Sequence, residues 1–314
     1  MIPRRSTPSG QHRPVLLKEV IEAHNPQPGA VVVDCTVGWA GHAAELLTLV
    51  GPQGKLIGFD LDADNLVKAR ERLQPIGCPF SLHHGNFAGV SNILAAEGIT
   101  KIDLLLADLG MSSMQVDDAE RGFSYVRDGP LDMRMDRSRG KTAAQLLATI
   151  SEESLGEALR EYGDEQEADK VAKAIVAARQ RMPILRTGDL AKTILEAAQN
   201  GKPAERWQLH PAKNKWNIHP AARTFQALRI LVNRELANLE ELLRVIPIIL
   251  KSGGRAAIIS FHSGEDRLVK AAFRGCLREG LYGKISDDPI RATLAERTDN
   301  PRSRSAKLRW AVRD

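Results

Sequence analysis

The stretch Val-Val-Val-Asp-Cys-Thr-Val-Gly-Trp-Ala-Gly-His, residues 31–42, decides the fold. A β-branched apolar run ends on an acid and passes through a glycine-containing turn into the helix-like GHAAELLTLV of residues 41–50. The alternation repeats downstream. KLIGFD (55–60) leads into ADNLVKARERL (63–73), FSLHH (80–84) into a helix over 88–97, and IDLLLAD (102–108) closes the series. Strands that are apolar on both faces and separated by ten-residue helices predict a doubly wound parallel sheet in an α/β fold. Ligands of such sheets sit at the carboxyl ends of the strands. Those ends carry Asp34, Asp60, His84 to Gly85, and Asp108.

Outward from this core the pattern changes. Residues 109–140 are rich in Gly, Asp, Arg and Met without periodicity and read as a long loop or lid. Three helices follow. One is opened by Ser151 and ends near Gly163, a second runs from about 168 to Arg181, and a third runs from Thr187 to Asn200–Gly201. The apolar residues Phe225, Leu228, Val232, Leu236, Leu239, Leu243 and Ile246 recur at helical spacing and predict one long amphipathic helix. RAAIISF (255–261) and AKLRWAV (306–312) read as strands on either side of a helix from Glu265 to Arg274. The expected assembly is a discontinuous α/β domain, residues 1–115 and 216–314, interrupted by a helical insertion at 116–215.

Composition narrows the function classes. The 314 residues are 43% apolar and 26% charged, enough to bury a sizeable core. Apolar runs such as Val245–Leu250 fall far short of the roughly 20 residues that span a bilayer, so no membrane partner is expected. The basic amino-terminal segment lacks the apolar core of a secretory signal. Cys35, Cys78 and Cys276 are scattered without a C-x-x-C pair, which argues against a disulfide scaffold and favours the cytoplasm. No set of His, Cys and acids has metal-ligand spacing, and no metal is expected. Net charge is +5, yet residues 1–18, 200–223 and 300–314 each carry a net +4 and leave the remainder at −7. Basic segments on an acidic body suit a polyanion, because phosphate contacts depend on local charge. Solvated tails would explain any one of the three. Trp207 and Trp216, amid Lys213, Lys215, His210 and His219, are placed to stack bases or to anchor a proline-containing loop.

The glycine turn does not fit a nicotinamide dinucleotide site, which wants G-x-G-x-x-G directly after the strand. Here an acid ends the first strand, only Gly38-x-x-Gly41 follows, and a second acid, Asp60, ends the next strand. That order suits a cationic nucleoside such as S-adenosylmethionine, with Asp60 accepting the ribose hydroxyls. The alternative is that these acids merely cap helices, as Asp62 and Asp64 would. Asp108-Leu-Gly-Met-Ser-Ser ends the fourth strand. A carboxylate there can hydrogen-bond an exocyclic amine, draw its nitrogen from sp² towards sp³ geometry and aim the lone pair at a methyl group. No strong base is needed first, because the proton leaves the cationic product. The N/D-P-P-Y/F tetrapeptide of DNA amino-methyltransferases is absent. Ser112 and Ser113 either assist Asp108 or cap the turn. His262, Ser263 and Glu265 superficially resemble a hydrolase set, and a helix cap at Ser263 is the simpler reading.

Taken together, HRPVLLKEV (12–20), DCTVGWAGHA (34–43), FDLD (59–62), ADLGMSS (107–113), DDAERGFSYVRDGPLDMRMD (117–136), EYGDEQEADKVAKAIV (161–176), HPAARTFQALRILVN (219–233), GGRAAIISFHSGEDRLVK (253–270) and NPRSRSAKLR (300–309) resemble the MraW/RsmH family. That family consists of methyltransferases that make N4-methylcytidine in small-subunit (16S) ribosomal RNA. The resemblance implies a class I, Rossmann-like fold, S-adenosylmethionine as cofactor and small-subunit rRNA, or the assembled subunit, as partner. It leaves open whether a homodimer forms. It places cofactor contacts at Gly38, Ala40, Gly41, His42, Asp60, Phe87, Asp108 and Gln115, and catalysis at Asp108 with Ser112 and Ser113. Lys213, Lys215, Trp216 and Arg223 are the candidate RNA contacts, and Asp132, Arg134, Asp136 and Arg137 read as a salt-bridged lid near the substrate. The family turn Gly-Arg-Gly-Gly-His is Gly38-Trp39-Ala40-Gly41-His42 here, and Phe-His-Ser-Leu-Glu-Asp-Arg is 261–267 with Gly264 in place of leucine. Two rival classes are an inactive assembly factor that keeps the fold, and a nicotinamide dehydrogenase.

Overall fold

The computed structural model describes residues 13–198 and 219–314. The chain divides into two compact units, residues 1–110 with 236–314, and residues 111–235.

The first unit is built on a seven-stranded sheet. Its strands are β1 (Val31–Asp34), β2 (Lys55–Asp60), β3 (Phe80–His84), β4 (Ile102–Asp108), β5 (Leu250–Ser260), β6 (Tyr282–Ile285) and β7 (Lys307–Arg313). Their order is β3-β2-β1-β4-β5-β7-β6. Pairing is parallel from β3 through β5, and β7 runs antiparallel to both its neighbours. Its parallel part is the doubly wound sheet that the strand pattern predicts. The chain winds outward in one direction from β1 and in the other from β4, so the switch point lies between them and opens at Asp34 and Asp108.

The parallel strands read as unbroken apolar runs because both faces are covered. Val32, Leu104, Leu106, Ala257 and Ile259 face a core shared with the helix Gly41–Val50. Val33, Leu105, Ala107, Ala256 and Ile258 face the opposite way, towards Leu239, Leu242 and Ile246 and towards Val269 and Phe273. Adjacent residues point to opposite faces, as the two-residue strand period requires. In β1, β2 and β4 the apolar run gives way to an acid at the carboxyl end, and there Asp34, Asp60 and Asp108 stand.

The second unit contains the helices Glu152–Gly163, Ala168–Arg181 and Thr187–Ala198 at the predicted positions, with the end of the third beyond Ala198 outside the described residues. Ser151 caps the first of them by accepting from the Ser154 N–H. It also takes in the helix Ala221–Asn233, which the sequence reading assigns to the methyltransferase domain. That helix packs tightly on the first: a Cβ at Gly163 would lie 2.7 Å from the Arg223 carbonyl oxygen, and Gln226 Nε2 donates to the Tyr162 carbonyl at 2.8 Å.

The expectation of one long helix from Phe225 to Ile246 is corrected. Two helices, Ala221–Asn233 and Glu235–Ile249, meet at Arg234, which is left-handed with φ 53°. Tertiary bonds override the helical period there. Asn233 Oδ1 accepts from the Met135 N–H (2.7 Å) and its Nδ2 donates to the Met133 carbonyl (2.8 Å), while Arg229 bridges the break to Glu235 with two 2.8 Å bonds. The loop after residue 109 is largely irregular, as expected, but highly tied. Arg134 forks onto Asp132 at 2.7 and 3.0 Å, and buried Arg121 donates to the Arg134 and Met135 carbonyls.

Candidate functional site

Three carboxylates converge at the strand ends of the first unit. Asp34 is 2% exposed, and its Oδ1 accepts from the Thr36 N–H at 3.0 Å. Burial, with the neighbouring Asp60 charge adding to it, pushes its pKa up to about 7. Asp60 Oδ2 accepts from the Gly38 N–H (2.8 Å), while Oδ1 accepts from Asp62 N–H (2.8 Å) and Asn65 Nδ2 (3.2 Å). Loss of hydration outweighs these bonds and raises Asp60 to about 6. Asp108 is raised well above the usual carboxylate range, first by burial and then by the charges of Asp34 and Glu265. Its Oδ1 is buried with no hydrogen-bond partner.

The first βα turn wraps around Asp60. Gly38 (φ 51°) and Ala40 (φ 58°) are both left-handed, and Ala40 is the residue before the helix Gly41–Val50. Glycine takes this conformation freely, whereas alanine pays roughly 1–2 kcal/mol for its Cβ. The turn is held all the same by the Gly38–Asp60 bond and by the Ala40 N–H donating to the Val37 carbonyl at 2.7 Å. His42, 5% exposed, sits in the first turn of that helix, with Nε2 2.8 Å from the Val15 carbonyl oxygen and Nδ1 3.6 Å from Asp108 Oδ2. Phe87 follows β3 in a short 3₁₀ turn capped by Asn86 and packs on the sheet face that carries Val33 and Leu105.

Gly38, Ala40, Gly41, His42, Asp60, Phe87 and Asp108 thus all belong to the first unit, while Ser112, Ser113 and Gln115 belong to the second. There, Ser112 and Gln115 form a reciprocal capping box at the start of the helix Ser113–Asp117, so the capping reading of Ser112 holds. The cap expected at Ser263 is corrected. His262 is the capping residue, with Nδ1 accepting from the Glu265 N–H, because the chain bends one residue earlier and Glu265 reaches back to the Phe261 N–H at 2.8 Å. Lys213, Lys215 and Trp216 lie outside the described residues. Arg223 is half-exposed, and its guanidinium lies 4.0 Å from Glu165 Oε1.

Two residues of the site carry no local signal. Thr36 Oγ1 accepts from the Asp108 N–H at 2.7 Å across 72 residues of sequence. Glu265, 2% exposed, contributes a fourth carboxylate facing Asp108. Four acids gathered where hydration is poor, one with an orphaned oxygen, favour a cationic ligand that donates hydrogen bonds.

The raised Asp34 pKa has a thermodynamic consequence. A carboxyl whose folded pKa exceeds its unfolded value of 3.8 contributes stability that is fully present below pH 4 and is lost as pH rises through about 7. Asp34→Asn keeps the acceptor for Thr36 and cannot ionise. Its Tm in the ligand-free protein is expected to gain on wild type between pH 5 and pH 8, because each tenfold difference in proton affinity between the folded and unfolded chain is worth roughly 1.4 kcal/mol. Parallel Tm–pH curves for the two proteins would refute the assignment.

A sequence model of the MraW methylase family matches residues 9–314. A protein of Citrifermentans bemidjiense named ribosomal RNA small subunit methyltransferase H is 47% identical over 313 residues, which cover 95% of this chain and 97% of that one. Proteins of the same name from Symbiobacterium thermophilum (44% identical, 96% of each chain) and, numbered 1, from Lachnoclostridium phytofermentans (40% identical, 100% of this chain and 84% of that one) are similar over comparable spans.

Proposed function

The chain belongs to the MraW methylase family, and from that premise we propose that it methylates the exocyclic N4 amine of a cytidine in small-subunit (16S) ribosomal RNA, using S-adenosylmethionine. The observation that carries this reading is Asp108, whose unpartnered buried Oδ1 stands at the switch point of the sheet.

The residues present fit the cofactor. A sulfonium with an α-ammonium is a cation, and Asp34, Asp60, Asp108 and Glu265 supply the opposing charge. Asp60 Oδ2 accepts one protein donor and keeps a lone pair for a ribose hydroxyl. Gly38, Ala40, Gly41, His42, Asp60, Phe87, Asp108 and Gln115 would hold the group, which when bound supplies an electrophilic methyl for in-line displacement. Asp108 would orient the amine, with Ser113 rather than the capping Ser112 as the assisting hydroxyl. Holding two reactants in line supplies roughly 7–11 kcal/mol of the barrier without a strong base. The target base has to leave its stack, which favours an unpaired segment or the assembled subunit over duplex RNA.

The helical unit is read as the RNA-recognition part and the cytoplasm as the site of action. Among the described residues, no helix is long and apolar enough to cross a membrane. Neutralising Lys213 and Lys215 together is expected to weaken RNA binding across sequences and to lower the log–log salt slope by roughly 0.7 per lost phosphate contact on single strands. Cofactor affinity should not change. A wild-type salt slope in the double variant would move the RNA contacts to the basic termini.

The direct test incubates the purified protein with small subunits and separately with deproteinised 16S RNA from a strain lacking the gene. Nucleoside mass spectrometry should then show N4-methylcytidine formed only with S-adenosylmethionine. Absence of the nucleoside with either substrate would favour an assembly factor that has kept the fold and lost the reaction.

A further inference from the structure

The helix Ser263–Arg278 begins just after β5, where Glu265 in its first turn faces Asp108. Val269 and Phe273 are buried in the core under the sheet, and the Phe273 ring meets Tyr282 of β6 edge to face. Arg267, Lys270, Arg274 and Arg278 take the other side. At about 100° per residue these four fall within roughly 80° of arc, opposite Val269 and Phe273. Arg267, Arg274 and Arg278 are exposed and Lys270 is half-exposed. No acid stands between 267 and 278.

Neither the helix dipole nor intrahelical pairing accounts for the four. A cation near the carboxyl end offsets the macrodipole, which explains Arg278 in the last turn. That effect dies away within a turn, so Arg267 and Lys270 in the first half gain nothing from it. Asp266 stands four residues before Lys270, the favourable order for an ion pair along a helix. It accepts instead from Lys307 at 3.0 Å and from Arg309 at 2.7 Å, both on β7. Among the described residues, none of the four cations has a hydrogen bond, ion pair or ring contact. By contrast Lys68, Arg160 and Arg244, on other helices, each meet an acid within 3.0 Å. Lys270, Arg274 and Arg278 follow one another at four-residue steps, so the stripe carries like-charge repulsion that nothing in the fold offsets.

We propose that this stripe is a contact surface for the sugar–phosphate backbone of RNA, holding the strand that flanks the target base. It rests on the rRNA-methylation reading above and adds a surface to it. From Arg267 to Arg278 the helix advances about 16 Å, the length of four or five phosphates stacked at about 3.4 Å on one strand. Arginine and lysine donate to phosphate oxygens without reading bases, so the stripe supplies affinity and register and leaves the choice of cytidine to the site itself. The stripe belongs to the first unit, with Asp60 and Asp108, and lies outside the contacts expected at Lys213, Lys215, Trp216 and Arg223. An anionic membrane fits it worse, because a helix lying in a membrane surface needs a free apolar face, and Val269 and Phe273 are buried.

The test is a matched pair of triple variants of the full chain. One carries Arg267→Gln, Lys270→Gln and Arg274→Gln, and leaves Arg278 to offset the dipole. The control carries Lys68→Gln, Arg72→Gln and Arg244→Gln, exposed cations on two other helices of the same unit. Binding to deproteinised 16S RNA and to small subunits is measured across a range of salt. The stripe variant is expected to bind RNA roughly 100-fold more weakly at 0.1 M salt and to lower the log–log slope by roughly 2, about 0.7 per lost contact, while the control keeps the wild-type slope. In methyl transfer its KM for RNA should rise. Its kcat at saturating RNA and its calorimetric affinity for S-adenosylmethionine should stay at wild-type values, a split that a damaged fold would not give. Its Tm should match or exceed wild type, because like charges have been removed. A wild-type salt slope in the folded stripe variant, or an equal loss in the control, overturns the proposal. So does wild-type protein that binds phosphatidylglycerol vesicles through the stripe and leaves RNA unbound. Should the triple variant not fold, Arg274→Gln alone must lower the slope by roughly 0.7. Wild type that makes N4-methylcytidine while the stripe variant keeps its slope refutes the surface and leaves the methylation reading standing. Wild type that binds RNA through the stripe and makes no N4-methylcytidine does the reverse.

Discussion

Asp108→Asn is expected to lower the single-turnover rate of methyl transfer roughly 100- to 1000-fold at saturating S-adenosylmethionine, the span seen when one preorganised charge-stabilising group is lost. Asparagine keeps the size of the side chain, and Thr36 continues to hold the backbone of residue 108. What is lost is the negative charge that a developing ammonium would face, in a site where poor hydration makes each charge count for more. Because Asp108 sits among Asp34 and Glu265, removing its charge also relieves repulsion. The variant should therefore be at least as stable as wild type, and its cofactor affinity should fall far less than its rate. A single-turnover rate equal to wild type would remove Asp108 from the chemistry and leave the orienting role to be sought elsewhere.

Asp60→Ala carries the next largest effect, a 10- to 100-fold loss of affinity for S-adenosylmethionine by calorimetry. Hydrogen bonds to a charged group are worth about 1.5–3 kcal/mol each, and each 1.4 kcal/mol is tenfold in affinity. The carboxylate does more than face a ligand. It also receives the N–H groups of Gly38 and Asp62 and the amide of Asn65, so alanine releases the left-handed turn at Gly38 and Ala40 as well. The loss is expected at the upper end of the range, with a modest fall in Tm. Asp60→Asn, which retains an acceptor for Gly38, should hold the turn and lose only the charge-assisted part. An unchanged dissociation constant in a folded Asp60→Ala protein would exclude Asp60 from the cofactor site.

The strands and the acids that end them were legible in the sequence because both depend on local rules. A parallel strand covered on both faces is read as an apolar run, so the acid that follows the run marks its end. Asp34, Asp60 and Asp108 could be placed on that ground, and the glycine turn between the first two followed from the strand-to-helix spacing. Helices of the inserted unit were equally readable from Ser151, Gly163 and Arg181, since caps and last turns act within a few residues.

What the tertiary structure alone decided are the relations between residues far apart in the chain. Thr36 supports Asp108 across 72 positions, and the Val15 carbonyl holds His42 Nε2 from 27 positions away. The helix break at Arg234 depends on Asn233 bonding to Met133 and Met135 about a hundred residues upstream, which no hydrophobic period records. His262 rather than Ser263 caps its helix because Glu265 reaches back to two backbone N–H groups, a choice between adjacent residues that propensity cannot make. Local pattern follows from chain geometry over one or two turns. These contacts follow from which surfaces the packed sheet brings together, and the raised pKa values follow from the hydration that packing removes.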